Sequence, residues 1–348
     1  MNPALKKTAI GAVTETAGSG VDGPSTFVFT ISPIPKKINK PGPFKLSKIT
    51  EEYPYFSHLL NLTVQEKVRE LPDFSDDRNI AVMSDIGGEH DEARFVTYSF
   101  LFMAYDKVGP FEEKVKELRK KYGLLTPYSE FAYKKLKSGA KARALAEYLQ
   151  IVDRFIHGAV VTIAIDTSIK TVFGSDKKQA HPAMLEQLAK DGLGTWACPA
   201  AERVLRVTNI IAAFTELLTP ENQRLFWYSD NDQINDDGKK RNFKHTQQIL
   251  DRVLYLTHKI DQIGVGKSFD EKSYLDDLLS VPDLAAGVVQ DLLFQHETGA
   301  DVPGGDEKII VMRWIATPAK HLAKITIQVK RMENGEIGYG SVDMAVPQ

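Results

Sequence analysis

Short apolar runs and helix-like stretches alternate along most of this chain and predict a mixed α/β architecture. Residues 80–84 and 95–103 are nearly continuous apolar runs separated by a short polar loop, which predicts two antiparallel neighbouring strands. A buried strand is predicted at residues 159–165, and further strands are predicted at residues 224–229 and, as a short one, 260–265. Apolar residues at helical spacing predict helices at residues 111–122, 141–155, 182–190, 200–218, 243–256 and 274–294. Pro282 lacks a backbone donor and predicts a kink or a break in the last helix, just before Asp283.

The N-terminal part of the chain follows a different pattern. Residues 1–24 are small and polar, which predicts a loop or an arm, whereas residues 27–31 have the composition of a strand. Residues 33–49 contain four prolines and five lysines, a composition that excludes regular structure. A short helix is expected at residues 63–71, with Thr63 as its cap.

Residues 306–348 predict a small antiparallel β meander. An apolar run at residues 309–315 precedes a strictly alternating stretch at 325–330, and Asn334-Gly335 is a strong hairpin-turn signal. The strand at 27–31 is a candidate further member of this meander. The expected organisation is therefore an N-terminal extension at residues 1–78, an α/β domain with a mixed central sheet flanked by helices at 79–305, and the C-terminal meander at 306–348.

Composition narrows the class of protein. The chain has 348 residues, of which 43% are hydrophobic, so it is long enough for a large core. The net charge of −2 gives no overall electrostatic footprint for nucleic acid, although it allows a local basic groove. A single cysteine, Cys198, excludes an intramolecular disulfide, fits a reducing compartment, and is expected to be a small buried residue. No run approaches the roughly 20 apolar residues of a membrane span, so a cytoplasmic protein without a membrane partner is expected.

Four acidic residues, Asp85, Glu130, Asp230 and Asp283, lie beside hydrophobic runs. A charge in such a place is costly to desolvate unless it is paired or binds a cation. Four converging carboxylates would also repel one another, and a divalent cation would relieve that repulsion. Mg²⁺ and Mn²⁺ prefer oxygen ligands of this kind, and two such ions about 4 Å apart can activate a water and stabilise a leaving oxygen.

Each of these acids also has a local structural explanation. Asp85 could cap the glycine turn that follows it, and Glu130 could be a solvated acid near the start of a helix. Asp283 could cap the helix that continues after the proline. These explanations are individually sufficient, so the metal-site hypothesis depends on the four acids occurring together and in this order.

The third acidic position has two candidates. Asp230 and Asp232 share one face if the preceding strand continues, so either side chain could be the ligand. The two could also form a turn. Asp230 is the preferred candidate because it lies nearer the apolar run.

The acids stand in four short motifs. These are Ser-Asp-Ile-Gly-Gly at residues 84–88, Tyr-Ser-Glu-Phe-Ala-Tyr-Lys-Lys at 128–135, Trp-Tyr-Ser-Asp-Asn-Asp at 227–232, and Pro-Asp-Leu-Ala-Ala-Gly at 282–287. They resemble the motifs of the ribonuclease-H-like superfamily. The closest likeness is to a bacterial domain-of-unknown-function family that opens with Asp-Glu-Ser-Gly and closes with an Ala-Asp-Leu-Ile-Ala-Gly helix, and it covers about residues 79–296.

The resemblance implies a ribonuclease-H-like fold and metal-dependent cleavage of nucleic acid. By position in the motifs, Asp85 would bridge two Mg²⁺ or Mn²⁺ ions, and Glu130, Asp230 and Asp283 would complete the ligand set. Lys134 matches a lysine that follows the family's glutamate, and it would steady a phosphate. Bacterial nucleases with accessory parts of this kind suggest a role in phage defence or mobile-element biology.

The first motif departs from the family pattern. Ile86 stands where the family has a glutamate, and Gly87 stands where it has a serine. Glu89, Asp91 and Glu92 in the following loop are possible substitutes for the missing carboxylate. This departure favours a rival hypothesis, in which the chain keeps the fold without catalysis and acts as a binding or scaffold protein. Its N- and C-terminal additions would then contact a protein partner or a second copy of the chain.

Two basic clusters follow the second and third acids. The first comprises Lys134, Lys135, Lys137, Lys141 and Arg143, and the second comprises Lys239, Lys240, Arg241, Lys244 and His245. Both are expected to border the acidic site, where phosphates would dock. A charge run is also the ordinary composition of a solvated face, and that alternative stays open.

Overall fold

The computed structural model describes the chain in segments. These are residues 11–15, 27–31, 40–41, 55–67, 70–88, 93–126, 128–137, 139–174, 176–230, 234–235, 241–268, 272–299 and 305–344.

The described residues form eleven strands and eight α-helices. The strands are β1 (Gly11–Glu15), β2 (Phe27–Ile31), β3 (Lys40–Pro41), β4 (Glu70–Leu71), β5 (Asn79–Gly87), β6 (Phe95–Ala104), β7 (Gly158–Asp166), β8 (Arg224–Ser229), β9 (Gln262–Lys267), β10 (Leu322–Arg331) and β11 (Ile337–Ser341). The helices are α1 (Tyr55–Lys67), α2 (Gly109–Tyr122), α3 (Gly139–Phe155), α4 (Lys177–Lys190), α5 (Cys198–Leu218), α6 (Phe243–Thr257), α7 (Tyr274–Thr298) and α8 (Asp306–Ala316).

Seven strands form one mixed sheet in the order β11-β10-β7-β6-β5-β8-β9. β6 runs antiparallel to both β5 and β7, whereas β8 is parallel to β5 and to β9. β10 pairs with β7 in parallel, and β11 returns antiparallel to β10. The predicted α/β class, with a mixed central sheet flanked by helices, is confirmed.

Helices cover both faces of this sheet. One apolar core packs α1, α4, α5 and α6 against one face, called here the α5 face, and a second packs α2, α3, α7 and α8 against the other, the α7 face. Side chains of β7 alternate between them, with Val161 and Ile163 in the first core and Val160 and Ala164 in the second. Because both faces are buried, β7 is an unbroken apolar run in the sequence.

The C-terminal meander is only partly correct. The hairpin turn at Asn334-Gly335 is confirmed, since the N–H of Met332 donates to the carbonyl of Glu336 at 2.8 Å and Gly335 has a φ of 83°. However, residues 309–315 belong to the helix α8, not to a strand. The long strand β10 adds to the central sheet beside β7, so the hairpin extends that sheet.

Several N-terminal predictions also need correction. β1 lies within the segment predicted as a loop, and it pairs with β2, so β2 does not join the C-terminal hairpin. β3 is a two-residue strand within the proline-rich stretch. Thr63 lies inside α1, where its hydroxyl donates to the carbonyl of Leu59 at 2.9 Å, so it does not cap a helix.

The sequence predicted a kink or a break just before Asp283, and α7 continues through Pro282 without a break. A proline in a helix lacks one backbone donor, and packing of its neighbours can compensate for that loss. Here Val281, Pro282 and Leu284 are all buried against the α7 face. The helix therefore carries Asp283 within a rigid element, and Asp283 does not cap it.

Candidate functional site

A cavity of about 680 Å³ opens on the α7 face, at the carboxyl end of β5. Its lining includes Asp85, Glu130, Asp230, Asp283 and Lys134. The structure thus brings together five residues that are up to 198 positions apart (85 to 283) in the chain. Their convergence was expected from motif order alone.

Strand geometry places Asp85 and Asp230 side by side. β5 and β8 are parallel neighbours, and their last paired residues are Ser84 and Ser229. The two aspartates follow directly after this pair. Side-chain alternation points Asp85 to the same face as Met83, and that face is the one that α7 covers.

Asp283 enters the cavity from α7. Its carboxylate accepts a hydrogen bond from the backbone N–H of Tyr133 at 3.0 Å. Burial raises the pKa of Asp283 to about 6, and the negative charges of Glu130 and Asp230 add to that rise. The hydrogen bond from Tyr133 and the positive charge of Lys134 act in the opposite direction. The carboxylates are therefore close enough to disfavour each other's charge.

Glu130 lies in the connection between α2 and α3, and a buried arginine holds this connection in place. The guanidinium of Arg119 donates to the carbonyls of Leu124 and Ser129, both at 2.9 Å. It also forms a bidentate ion pair with Asp277 of α7, with its Nε 3.0 Å from each carboxylate oxygen. Because Ser129 precedes Glu130, this contact fixes the glutamate relative to α7.

Tyr128 completes the same anchor. Its hydroxyl donates to Asp277, and its ring lies 3.8 Å from the guanidinium carbon of Arg119. The Arg119 and Asp277 side chains are 1% and 0% exposed. A fully buried ion pair of this kind is strongly destabilised when one partner is removed, because the other charge remains buried.

Small residues let the elements around the cavity approach closely. A Cβ at Gly87 would lie 2.6 Å from the hydroxyl of Thr97 and 3.3 Å from the Cβ of Ala286. A Cβ at Gly287 would overlap the ring of Tyr133. The glycines of the first and fourth motifs are thus needed for packing, whatever the chemistry of the site.

One face of α7 supplies more of the lining than the sequence analysis recognised. The residues are Asp276, Leu279, Ser280, Asp283, Gly287, Gln290 and Asp291, at helical spacing of three and four. Asp276 and Asp291 were missed, although their spacing from Asp283 was a signal. Asp276 also closes a capping box with Ser273 at the start of the helix, which gives it a structural role.

Lys272 is a further residue that the sequence analysis missed. Its Nζ lies 3.6 Å from Glu130 and 3.3 Å from Asp276, and its side chain is only 26% exposed. Burial tends to lower the pKa of Lys272, but the charges of Asp276, Glu130 and Asp230 raise it overall. A lysine ammonium therefore already neutralises part of the acidic cluster.

α8 contributes a basic side chain from the opposite wall. Lys308 donates to Asp291 at 2.6 Å, and the hydroxyl of Tyr133 donates to the same carboxylate at 2.7 Å. Lys308 and its neighbour Glu307 both line the cavity. Their contribution was missed because residues 306–316 were interpreted as part of a β meander.

The two basic clusters differ in their position relative to the cavity. Lys134, Lys135 and Lys137 are exposed and line the cavity, as predicted, whereas Lys141 and Arg143 of the same cluster do not line it. In the second cluster, Arg241 is buried and stacks 4.0 Å from the ring of Trp196, and His245 caps α6. The described part of this cluster does not line the cavity, so that prediction is wrong for those residues.

Other sequence predictions fall outside the described residues. These are Asp232 as the alternative third ligand, Lys239 and Lys240, and Glu89, Asp91 and Glu92 as substitutes for the missing glutamate. Ile86 is described and is among the residues at the cavity, but its half-buried side chain packs against the core of the α5 face.

The ligand chemistry and the ligand spacing differ in how well they suit a metal. Carboxylate oxygens are the donors that Mg²⁺ and Mn²⁺ use. Within the described segments, however, no three His, Cys, Asp or Glu side chains are drawn closely enough together to hold an ion. The acids share a cavity without forming a preassembled coordination shell.

Comparisons with protein-family models and with curated proteins found no match for this chain. In the part of the chain that the structure describes, no helix is both long enough and apolar enough to cross a membrane.

Proposed function

We propose that this protein is a metal-dependent nuclease with a ribonuclease-H-like fold. The observation that carries the proposal is the shared cavity of Asp85, Glu130, Asp230 and Asp283. These acids come from two neighbouring strand ends, one connection and one helix. Four acids that were only solvated would not be expected to share one cavity. A cation site, in contrast, needs several carboxylates in one place.

The raised pKa of Asp283 supports the same proposal. Burial and the charges of Glu130 and Asp230 make its ionised form costly. Divalent cations, when bound, would offset that cost, activate a water and stabilise the leaving oxygen of a phosphodiester. In this proposal Asp85, Glu130, Asp230 or Asp232, and Asp283 would hold two Mg²⁺ or Mn²⁺ ions, with Asp85 shared between them.

The basic rim supports nucleic acid as the substrate class. Lys134, Lys135 and Lys137 project from one edge of the cavity, and Lys308 lies at another. Phosphate groups of a nucleic acid would bind these ammonium groups, while the scissile phosphate faces the acids. Lys134 is the candidate for steadying the transition-state charge. A role in phage defence or mobile-element biology remains an expectation from the sequence resemblance.

A binding or scaffold protein is the second candidate function. Two observations favour it. Ile86 stands where the family that the motifs resemble has a carboxylate, and its side chain packs on the opposite face of the sheet. The described acids also form no preassembled metal cluster. In that case the cavity would hold a partner's cationic or polar group. The terminal additions would provide the partner surface.

A nuclease assay separates the two candidates. The full chain is incubated with Mn²⁺ and single- and double-stranded DNA and RNA, together with Asp85→Asn, Asp283→Asn and the control Glu117→Gln. Glu117 is a 65% exposed acid on α2, outside the cavity lining. The proposal expects cleavage by wild type and by the control, and loss of cleavage in both aspartate variants. Equal activity in all four proteins, or none with any substrate, supports the scaffold.

A further inference from the structure

A second cavity, of about 840 Å³, lies on the α5 face of the sheet, opposite the acidic site. Tyr98 of β6 and Ile165 of β7 line its floor, and α4 and α5 form its walls. Both floor side chains belong to the core of the α5 face. The sheet therefore separates the two cavities, and the chemistry of the first does not account for the second.

Glu202 is a buried acceptor in this cavity with unused hydrogen-bonding capacity. Its residue exposure is 5%, and its Oε1 accepts from the N–H of Val172 and from Nε of Arg206, both at 3.0 Å. Its Oε2 is buried and receives no hydrogen bond from the described residues. An unsatisfied buried carboxylate oxygen is costly, and a donor supplied by a ligand would remove that cost.

His181 also has a buried atom that makes no hydrogen bond to the described residues. Its Nε2 lies 3.6 Å from Oε2 of Glu202, which is longer than a hydrogen bond, and it too is buried without a hydrogen-bond partner among the described residues. Both atoms belong to side chains that line the cavity. The pair thus leaves one acceptor and one ring nitrogen without a hydrogen bond to the described part of the chain, in residues that line the cavity.

The mouth of the cavity is strongly basic. Lys170, Lys177 and Lys178 are exposed and line it, and Arg203 adds a fourth cation. The positive end of α5 opens at the same place, since Cys198 and Pro199 line the cavity and no side chain caps that helix at Ala197. Cys198 is half-buried here, not buried as the sequence predicted. These features favour an anion.

Much of the remaining wall is apolar. Ile169, Pro182, Leu185 and Pro199 line it, beside the polar residues Asp166 and Thr167. A free phosphate would use only the mouth, and an uncharged nucleoside would use only the walls and the acceptor. A ligand that uses all three regions carries a phosphate, a flat or apolar body, and an N–H or O–H donor.

We propose that this second cavity binds a nucleotide. Its phosphate contacts Lys177 and Lys178 at the start of α4, its base lies between the apolar walls, and a base or sugar donor bonds to Oε2 of Glu202. A pocket that combines apolar walls with a few polar groups is typical of small-ligand sites of this size. The proposal is independent of any nuclease activity.

Titration calorimetry on the full chain without divalent metal tests this site. The ligands are AMP, GMP, adenosine, inorganic phosphate and a 5′-phosphorylated tetranucleotide. The expected result is one mononucleotide per chain, bound more tightly than adenosine or phosphate. The Lys177→Ala/Lys178→Ala double variant should bind it about tenfold more weakly or worse, because two charge-assisted contacts are lost. Both lysines are exposed, so the fold is preserved.

Two controls locate the binding. Lys190→Ala removes a lysine from the other end of α4, outside the cavity lining, and should leave affinity unchanged. Asp283→Asn alters the first cavity and should also have no effect. Absence of mononucleotide binding, or equal binding by the double variant, overturns the proposal. Phosphate that binds as tightly as AMP would also overturn it, because the surface would then bind simple anions. A tetranucleotide that binds far more tightly than AMP would overturn it too, because the surface would then bind a polymer.

Discussion

The backbone N–H of Tyr133 donates a hydrogen bond to the carboxylate of Asp283 at 3.0 Å. This contact joins the connection that carries Glu130 and Lys134 to the helix that carries Asp283. Tyr133 also packs its ring over Gly287 and donates through its hydroxyl to Asp291. One residue that takes no part in the proposed chemistry therefore sets the spacing of the residues that do.

Asp283→Asn should stabilise the metal-free protein at neutral pH. The pKa of Asp283 in the folded state, about 6, is above the ordinary value of 3.8, so the folded state holds the proton longer than the unfolded state. The contribution of Asp283 to the unfolding free energy therefore falls as the pH rises from about 4 to about 6. Above about pH 6 the ionised side chain destabilises the folded state to its full extent. Removing the charge should raise the unfolding free energy at pH 7.5 by on the order of 1–3 kcal/mol.

Chemical denaturation at pH 4 and pH 7.5 measures this effect. The gain from Asp283→Asn should be present at pH 7.5 and nearly absent at pH 4, where the wild-type carboxyl is protonated. A variant that is no more stable than wild type at pH 7.5 would show that the ionised Asp283 side chain does not destabilise the folded protein. Asp261→Asn is a matched control, because Asp261 is half exposed and lies outside the cavity lining.

Gly287→Ala should destabilise the protein through the Tyr133 ring. The added methyl group would overlap that ring, so either the ring or α7 must shift. Overpacking of this kind costs about 1–3 kcal/mol. Gly340→Ala is the control, since a Cβ at Gly340 meets no atom within 4 Å. Thermal unfolding of both variants gives the comparison, and equal melting temperatures would contradict the close approach seen here.

Arg119→Met should be among the most destabilising single changes in the chain. It would leave the Asp277 carboxylate buried without its cation and would release the carbonyls of Leu124 and Ser129. Removing one partner of a buried ion pair costs about 3–5 kcal/mol. Lys114→Met breaks an exposed pair with Glu117 and should cost at most about 1 kcal/mol. Urea unfolding of the two variants tests the difference, and similar losses would refute the anchoring role.

Lys272→Gln should increase the affinity of the acidic cavity for Mn²⁺. The Lys272 ammonium lies 3.6 Å from Glu130 and 3.3 Å from Asp276, so it competes with an incoming cation for their charge. Lys135→Gln is the matched control, because Lys135 is also 3.6 Å from Glu130 but is 68% exposed and therefore better screened. Mn²⁺ titration should give tighter binding for Lys272→Gln and little change for the control. Unchanged or weaker binding by Lys272→Gln would reverse this interpretation.

Local sequence patterns predicted best those strands and helices that are buried over most of their length. β8 was predicted with the bounds that the structure gives it, and β7 and α5 lie within two residues of their predicted limits, because each is buried over most of its length. α8 was interpreted as a strand because a short apolar run does not distinguish strand from helix. The pairing of β10 with β7 joins residues more than 150 positions apart, and no local pattern encodes that contact.

The residues of the candidate site likewise divide into those that a local sequence pattern identified and those that it missed. Asp85, Asp230 and Asp283 were found because each lies next to a strong apolar run. Lys272 and Arg119 were missed because their roles depend on partners that only the fold brings near, Glu130 for the first and Asp277 for the second. The sequence predicted four of the acids that line the cavity, but it missed Asp276 and Asp291, and it did not predict the cations that pair with the acidic residues.

A crystal structure of the full chain soaked with Mn²⁺ and recorded at a wavelength that gives anomalous scattering tests the central claim most directly. We expect two anomalous peaks about 4 Å apart in the acidic cavity, with Asp85 in contact with both and Asp283 in contact with one. Well-diffracting soaked crystals with no peak between Asp85 and Asp283 would contradict it.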